Sequence, residues 1–323
     1  MSKKNEKGTS ILVAVDFFPC SKSAVAQAAW LAHATDATLH VFHAIDPLVV
    51  TNLANTMPIP VEELGKQVAD DAKKSLDEIV GQIPVVRPEK VEIQTVVGSP
   101  VEEILKKAQA VSANFLILGM YGGFGSGRGA GSVAAKCMQK ATTNVVLVHE
   151  SQRTPFRTVV VCVDFSESSR AAVAHGVRIA AIARSQLHLL HVFNGPWHRL
   201  HYRAPTREAN PDFQQQYLSA LQARMKALLE PFASELDALE IHCEIRDHMN
   251  DRRGIVEYAT KTGADLLILG STGRMPLYSL LVGNTAAGLL RKVPRSMLIV
   301  RREMVARNRA DGAGQAGLLA SGS

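Results

Sequence analysis

TVVVCVDF, residues 158 to 165, is a run of apolar, mostly β-branched residues that ends on Asp164, and SILVAVDF, residues 10 to 17, ends on Asp16 in the same way. An Ala-rich stretch at helical spacing follows each of them, so both read as a strand, a carboxylate and then a helix. The likeness continues in order along the chain. NFLILG at 114–119 matches DLLILG at 265–270, and NVVLVH at 144–149 matches SMLIVR at 296–301. Asp16 and Gly119 are 103 residues apart and Asp164 and Gly270 are 106 apart, which makes the chain an internal duplication of two nearly equal units. A chain of 323 residues with 46% hydrophobic content is long enough to bury a core in each.

In each unit continuous apolar strands alternate with longer helical patterns, the signature of a parallel sheet covered on both faces. The fold class is therefore α/β, with two tandem, doubly wound, five-stranded parallel sheets. The first unit predicts strands at 10–15, 38–44, 91–97, 115–119 and 145–149, joined by helices at 21–34, 61–81, 100–112 and 132–141. The second predicts strands at 158–163, 187–193, 241–246, 265–270 and 296–301, with 214–229 as a sheet-covering helix. The domains run 1–149 and 158–302, with a linker at 150–157 around Pro155 and a tail at 303–323 that reads as disordered. The stretches 46–60 and 194–212 hold most of the irregular, Pro-containing sequence and read as flaps over a site.

The net charge of +6 is modest and partly local, with Arg301, Arg302, Arg307 and Arg309 close together, so nucleic acid is not the expected partner. No run of 18 apolar residues appears and the N-terminus lacks the apolar core of a signal peptide, which points to the cytoplasm and away from a membrane. Cys20, Cys137, Cys162 and Cys243 form no Cys-x-x-Cys pair and read as buried thiols. His40 with His43, and His188 with His191, are three apart on strands, hence on opposite faces, and no metal site is expected. His198 and His201, beside Trp197, read as part of a solvated loop.

The chemistry should lie beyond the carboxyl ends of the strands, where strand order reverses. After the fourth strand of the second half come Gly270-Ser-Thr-Gly273-Arg274, nine residues beyond Gly273, and then Gly283-Asn284-Thr285 at the start of a helix. Glycines admit close approach of an anion, and Asn284, Thr285 and the first helical N–H groups can donate to phosphate oxygens. A tight turn and a simple helix cap account for the same residues equally well. The first half has Gly119, Gly122 and Gly131 with eight residues between the last two, one fewer than in the second half. Its Gly125-x-Gly127-x-x-Ala130 mimics a dinucleotide fingerprint but follows the fourth strand, and there is no Gly-Lys-Ser/Thr. Asp16 and Asp164 are placed to accept hydrogen bonds from ribose hydroxyls, or else to cap the following turn. In the second half Ser166 is placed to cap, which leaves Asp164 for a ligand.

Val-Asp-Phe-Ser-Glu (163–167), Leu-Leu-His-Val (189–192), Gly-Ser-Thr-Gly-Arg (270–274) and Gly-Asn-Thr-Ala (283–286) together resemble the universal stress protein pattern, over residues 10–149 and 157–301. The resemblance implies a Rossmann-like unit with strand order 3-2-1-4-5. It also implies pairing of units through their fifth strands into a monomeric pseudo-dimer or a higher homo-oligomer, ATP binding in one branch of the family, and a regulatory role. Carried over, it places an adenine nucleotide, with or without Mg2+, on Asp164, Phe165, Val192, Gly270, Gly273, Arg274, Gly283, Asn284 and Thr285. The weaker first-half set is Asp16, Phe17, Ala44, Gly119, Gly122, Gly131, Ser132 and Val133. Departures are Phe18-Pro19 where the family often has Ser-Glu, the short first loop, Pro276 where Gly is common, and Met249 where the first half has Gly98.

The leading functional expectation is a stress-response regulator that binds ATP or a related adenine nucleotide and alters its contacts with a regulatory protein partner. One alternative is a nucleotide-free tandem scaffold or apolar-ligand carrier. Another is a weak ATPase or nucleotidyl-transfer enzyme, limited to slow hydrolysis or autophosphorylation because the loops lack a Lys and a metal-binding carboxylate set.

Overall fold

The computed structural model describes residues 9–84, 86–122, 131–152, 154–199, 211–271, 289 and 295–301. The chain divides into two units, Met1–Pro155 and Phe156–Ser323. In the first, β1 (Ser10–Ala14), β2 (Thr38–Ile45), β3 (Val91–Val97), β4 (Phe115–Gly119) and β5 (Asn144–Val148) run parallel in the order β3-β2-β1-β4-β5. Every residue of β1 and β5 is buried, which is why these strands read as unbroken apolar runs. In β3, at one end of that order, exposed and half-buried positions largely alternate, matching its mixed sequence VEIQTVV.

Parallel neighbours need crossovers. They are α1 (Pro19–Thr35), α2 (Pro47–Ala54) with α3 (Val61–Gly81), α4 (Pro100–Ala110) and α5 (Ser132–Lys140). Right-handed crossing puts α1 and α3 on one face and α4 and α5 on the other. Pro19 opens α1, where a missing N–H costs nothing, and buried Ala24, Ala28, Ala29 and Ala32 let that helix lie close to the sheet. It stops at Asp36, whose left-handed backbone (φ 55°) breaks the helix and whose carboxylate receives Arg87 at 2.7 Å and Lys90 at 2.6 Å.

The second unit repeats the plan. β6 (Thr158–Cys162), β7 (Gln186–Phe193), β8 (Ile241–Asp247), β9 (Leu266–Gly270) and β10 (Ser296–Val300) lie parallel in the order β8-β7-β6-β9-β10, which is 3-2-1-4-5 again. α6 (Glu167–Ala183), α7 (Pro211–Leu229) and α8 (Asp251–Lys261) lie in the connections from β6 through to β9. Leu221, Met225 and Leu228, at helical spacing, form the buried stripe of α7, as expected of a helix that covers a sheet. No helix among the described residues is long and apolar enough to cross a membrane.

Two expectations need correction. The stretch 46–60 is not wholly irregular: Asp46 accepts the Leu48 N–H at 2.9 Å and Pro47 supplies the first helical position, so α2 forms at once after β2. Val50 and Leu64 then pack with Ile45. The thiols are not uniformly buried either: Cys20 and Cys137 are, Cys162 is half-buried, and Cys243 is exposed on β8, at one end of its unit's strand order. The tail from residue 302 onward and the segment 200–210 lie outside the described residues.

Candidate functional site

Between β1 and β4 the chain leaves the sheet in opposite directions, and the gap this opens lies at their carboxyl ends. Val15 still pairs with β2, its N–H donating to Phe42 O at 2.9 Å, and Asp16 is the first residue clear of the sheet. Its Oδ1 accepts the Phe18 N–H at 3.1 Å and the Ser21 hydroxyl, while the Asp16 N–H donates back to Ser21 Oγ at 3.0 Å. Phe17, between them, holds φ at 64°. A side chain other than glycine in that region costs about 1–2 kcal/mol, so the surroundings must hold it there.

The end of β4 closes on the same point. A Cβ on Gly119 would fall 2.8 Å from Cys20 Cβ and 3.1 Å from the Cys20 carbonyl carbon, so glycine lets the start of α1 pass against the strand. A Cβ on Gly122 would fall 2.7 Å from Asp16 Oδ2. Gly131 returns to this end of the strand by donating its N–H to Met120 O at 2.8 Å, and α5 starts immediately after it. Among the described residues no side chain caps α5 and its first turn carries no acid. Its leading N–H groups, with exposed Ser132 and half-buried Val133, therefore present partial positive charge to an anion. Continuing the register from the Ala14–Phe42 pair brings Ala44 level with Asp16.

The second unit reproduces the first half of this arrangement. Val163 N–H donates to Leu190 O at 2.8 Å, Asp164 follows, and Phe165 has φ 62°. The expectation that a capping Ser166 leaves Asp164 wholly to a ligand is corrected. Ser166 does cap α6, accepting the Ser169 N–H at 3.2 Å, but its own N–H and hydroxyl donate to Asp164 Oδ1 at 3.0 and 2.5 Å. In both units, then, one carboxylate oxygen organises the turn. A Cβ on Gly270 would fall 2.6 Å from Ser168 Oγ and 2.8 Å from the Ser168 carbonyl carbon, repeating Gly119 against Cys20. Val192 is level with Asp164 by register, its side chain set against Gly254 of α8. Gly273, Arg274, Gly283, Asn284 and Thr285 lie outside the described residues.

Several residues beside the crevices were given no role at the site from the sequence. His43 Nδ1 is 2.7 Å from Val15 O and its ring meets Phe17 edge-on at 4.7 Å; His191 Nδ1 is 2.6 Å from Val163 O and its ring meets Phe165 at 4.6 Å. Arg224 of α7 lies over the Phe165 ring, 4.3 Å from its centre. Phe193, Trp197 and Leu221 pack together with Tyr217 and Phe165. Asp247, at the end of β8, fastens this cluster: Oδ1 accepts the Gly195 N–H at 3.0 Å, and Oδ2 takes Trp197 Nε1 at 3.0 Å and His198 Nε2 at 2.8 Å. His198 is thus tied down rather than part of a solvated loop; His201 lies outside the described residues. A Trp directly before the half-buried His on an otherwise irregular stretch is a weak sequence signal for such an anchor.

His40 and His43 do face opposite ways, His40 reaching Glu92 at 2.9 Å on the α4 side. No group of three or more metal-ligating side chains occurs among the described residues. Burial pushes the Cys20 thiol up and the Cys137 thiol up to about 12, so neither is a thiolate nucleophile at neutral pH.

Both units thus define a doubly wound α/β protein with a crevice at each topological switch point. Residues 9–149 and 155–301 each match the universal stress protein family, and the chain belongs to that family. It is 28% identical over 139 residues to universal stress protein A homolog 1 of Coxiella burnetii, covering 43% of this chain and 94% of that one. It is 22% identical over 158 residues to a universal stress protein of Methanocaldococcus jannaschii, covering 46% and 96%. A universal stress protein structure from Archaeoglobus fulgidus aligns over 91% of this chain and 98% of its own, with TM-score 0.62 at 16% identity. A functionally unknown protein from Pseudomonas aeruginosa aligns over 95% and 97%, with TM-score 0.61 and the same identity.

Proposed function

We propose that the chain is a cytoplasmic regulator that binds ATP or a related adenine nucleotide, with Mg2+, in its switch-point crevices and changes its contacts with a protein partner according to occupancy. The observation that carries this reading is the meeting of Asp16, Gly122 and the uncapped start of α5 at one crevice. A carboxylate suits hydroxyl donors and repels phosphate, whereas a helix N-terminus attracts phosphate. A nucleoside polyphosphate satisfies both at once, with its ribose toward Asp16 and its phosphates toward Gly131 and Ser132. In the second unit Asp164 takes the ribose, Phe165 and Val192 flank the base, and the phosphates go to Gly270, Gly273, Arg274, Gly283, Asn284 and Thr285 on the family pattern. Occupancy acts on a partner only where the partner-bound and free forms differ in nucleotide affinity.

The test is isothermal titration calorimetry with MgATP on wild type, Asp16→Ala, Asp164→Ala and the double variant. Loss of hydrogen bonds to a charged acceptor should weaken the affected crevice about ten- to a hundredfold. Absence of heat in the wild type, or undiminished binding in the double variant, would contradict the proposal.

A further inference from the structure

We propose that His43 and His191 are positioning residues: each ties the turn that aims the crevice aspartate to the neighbouring strand, through Nδ1–H to the carbonyl before that aspartate and through its ring to the left-handed phenylalanine after it. The consequence for ligand affinity rests on the nucleotide reading above; the tether itself does not.

The aspartate turn is held on both sides. On one side His43 donates to Val15 O at 2.7 Å, and on the other its ring bears on Phe17, whose φ is 64°. His191 does the same to Val163 O at 2.6 Å and to Phe165, whose φ is 62°. A phenylalanine left to itself relaxes to negative φ, and that rotation would carry the aspartate Oδ1 away from the amide two residues on, Phe18 in one unit and Ser166 in the other. A carbonyl oxygen only accepts, so Nδ1 carries the proton in the neutral ring as well as in the cation, and the tether holds in either state.

The duplication separates this role from ordinary core packing. The surroundings of the two turns have diverged: Phe18 stands opposite Ser166, Ala44 opposite Val192, and the hydroxyl on the aspartate comes from Ser21 in one unit and Ser166 in the other. The histidines on the other sheet face have diverged too, His40 meeting Glu92 while His188 meets Tyr258 and stacks on His242. Amid that divergence the histidine–carbonyl–phenylalanine arrangement repeats nearly unchanged.

The experiment is amide NMR of the full-length, 15N-labelled, ligand-free chain, read at Phe18 for His43 variants and at Ser166 for His191 variants. His43→Phe keeps a ring but loses the donor, and should move the Phe18 amide proton upfield, as for an amide that has lost its acceptor. His43→Asn places an N–H near the position of Nδ1–H and should retain the wild-type shift. Adding Phe17→Gly to His43→Phe should restore it, because glycine takes positive φ without the tether. A Phe18 amide that stays put in His43→Phe, or that glycine does not restore, would overturn the proposal. Should His43→Phe fail to fold, His191→Phe with Ser166 and Phe165→Gly decides by the same readings. In calorimetry with MgATP the His→Phe variants should bind about tenfold more weakly. Wild type that binds no MgATP would overturn the nucleotide reading while the amide shifts still judge the tether.

Discussion

Asp16 and Gly122 stand so close that a single added carbon on residue 122 would lie 2.7 Å from the aspartate Oδ2. The obstacle is the free end of an exposed side chain, so Gly122→Val should be relieved by swinging the carboxylate aside. Its thermal midpoint should stay near that of wild type, within the roughly 0.5 kcal/mol usual for surface changes. Its MgATP affinity at the first crevice should fall about tenfold or more, as for a lost charged hydrogen bond. Calorimetry of unfolding and of binding on the same preparation checks both halves of this expectation.

Gly270 and Gly119 differ because what they touch is the start of a helix. A methyl on residue 270 would meet the backbone of Ser168 at 2.8 Å, and one on residue 119 the backbone of Cys20 at 3.1 Å. Relief requires α6 or α1 to move against its own sheet. Gly270→Ala should therefore cost about 1–3 kcal/mol, as overpacking of a filled interior does, seen as a lower urea midpoint.

Asp247 anchors the turn after β7 through three donors, one of them on buried Trp197. Asp247→Ala leaves those donors without that acceptor, at a cost of about 1–3 kcal/mol for each buried group left unsatisfied. In a Trp30→Phe background, where Trp197 is the remaining tryptophan, its emission should shift to the red. Unchanged emission would mean that the aromatic packing with Phe193 and Tyr217 holds the turn without Asp247.

Acid should weaken the fold through His40 and His188. Burial holds both imidazoles below the usual range, with the His242 ring adding to the effect at His188 and Glu92 opposing it at His40. The unfolded chain takes up these protons near pH 6.5 and the folded chain does so only at lower pH. The stability they contribute is complete above about pH 6.5 and is lost as pH falls toward the folded values. Urea midpoints measured from pH 7.5 down to 5.5 should decline, and His188→Gln should flatten that decline.

Most of the fold was legible because the code for it is local. The ends of β3, β4 and α3 coincide with the sequence expectation, since apolar runs and helical spacing are properties of neighbours along the chain. α2 was obscured by Pro58 and Pro60, although Asp46-Pro47 is an ordinary start signal. The aspartates and glycines of the crevice were readable from strand ends and spacing. The tethers were not: His43 and Val15 are 28 residues apart and meet only once β1 and β2 are paired. Nothing in Val-Asp-Phe announces positive φ, which is normally signalled by Gly or Asn. Residues 123–130 and the proposed phosphate ligands Gly273, Arg274, Gly283, Asn284 and Thr285 lie outside the described residues, so in the second crevice the phosphate assignment rests on sequence spacing and the family resemblance.

The measurement that tests the central claim most directly is native mass spectrometry of the freshly purified chain, before and after addition of millimolar MgATP, beside a variant carrying Gly122→Val and Gly283→Val. The account predicts adenine-nucleotide mass on the wild type and its loss from the variant. A wild type that keeps its bare polypeptide mass throughout would contradict nucleotide binding and favour a tandem scaffold that works without it.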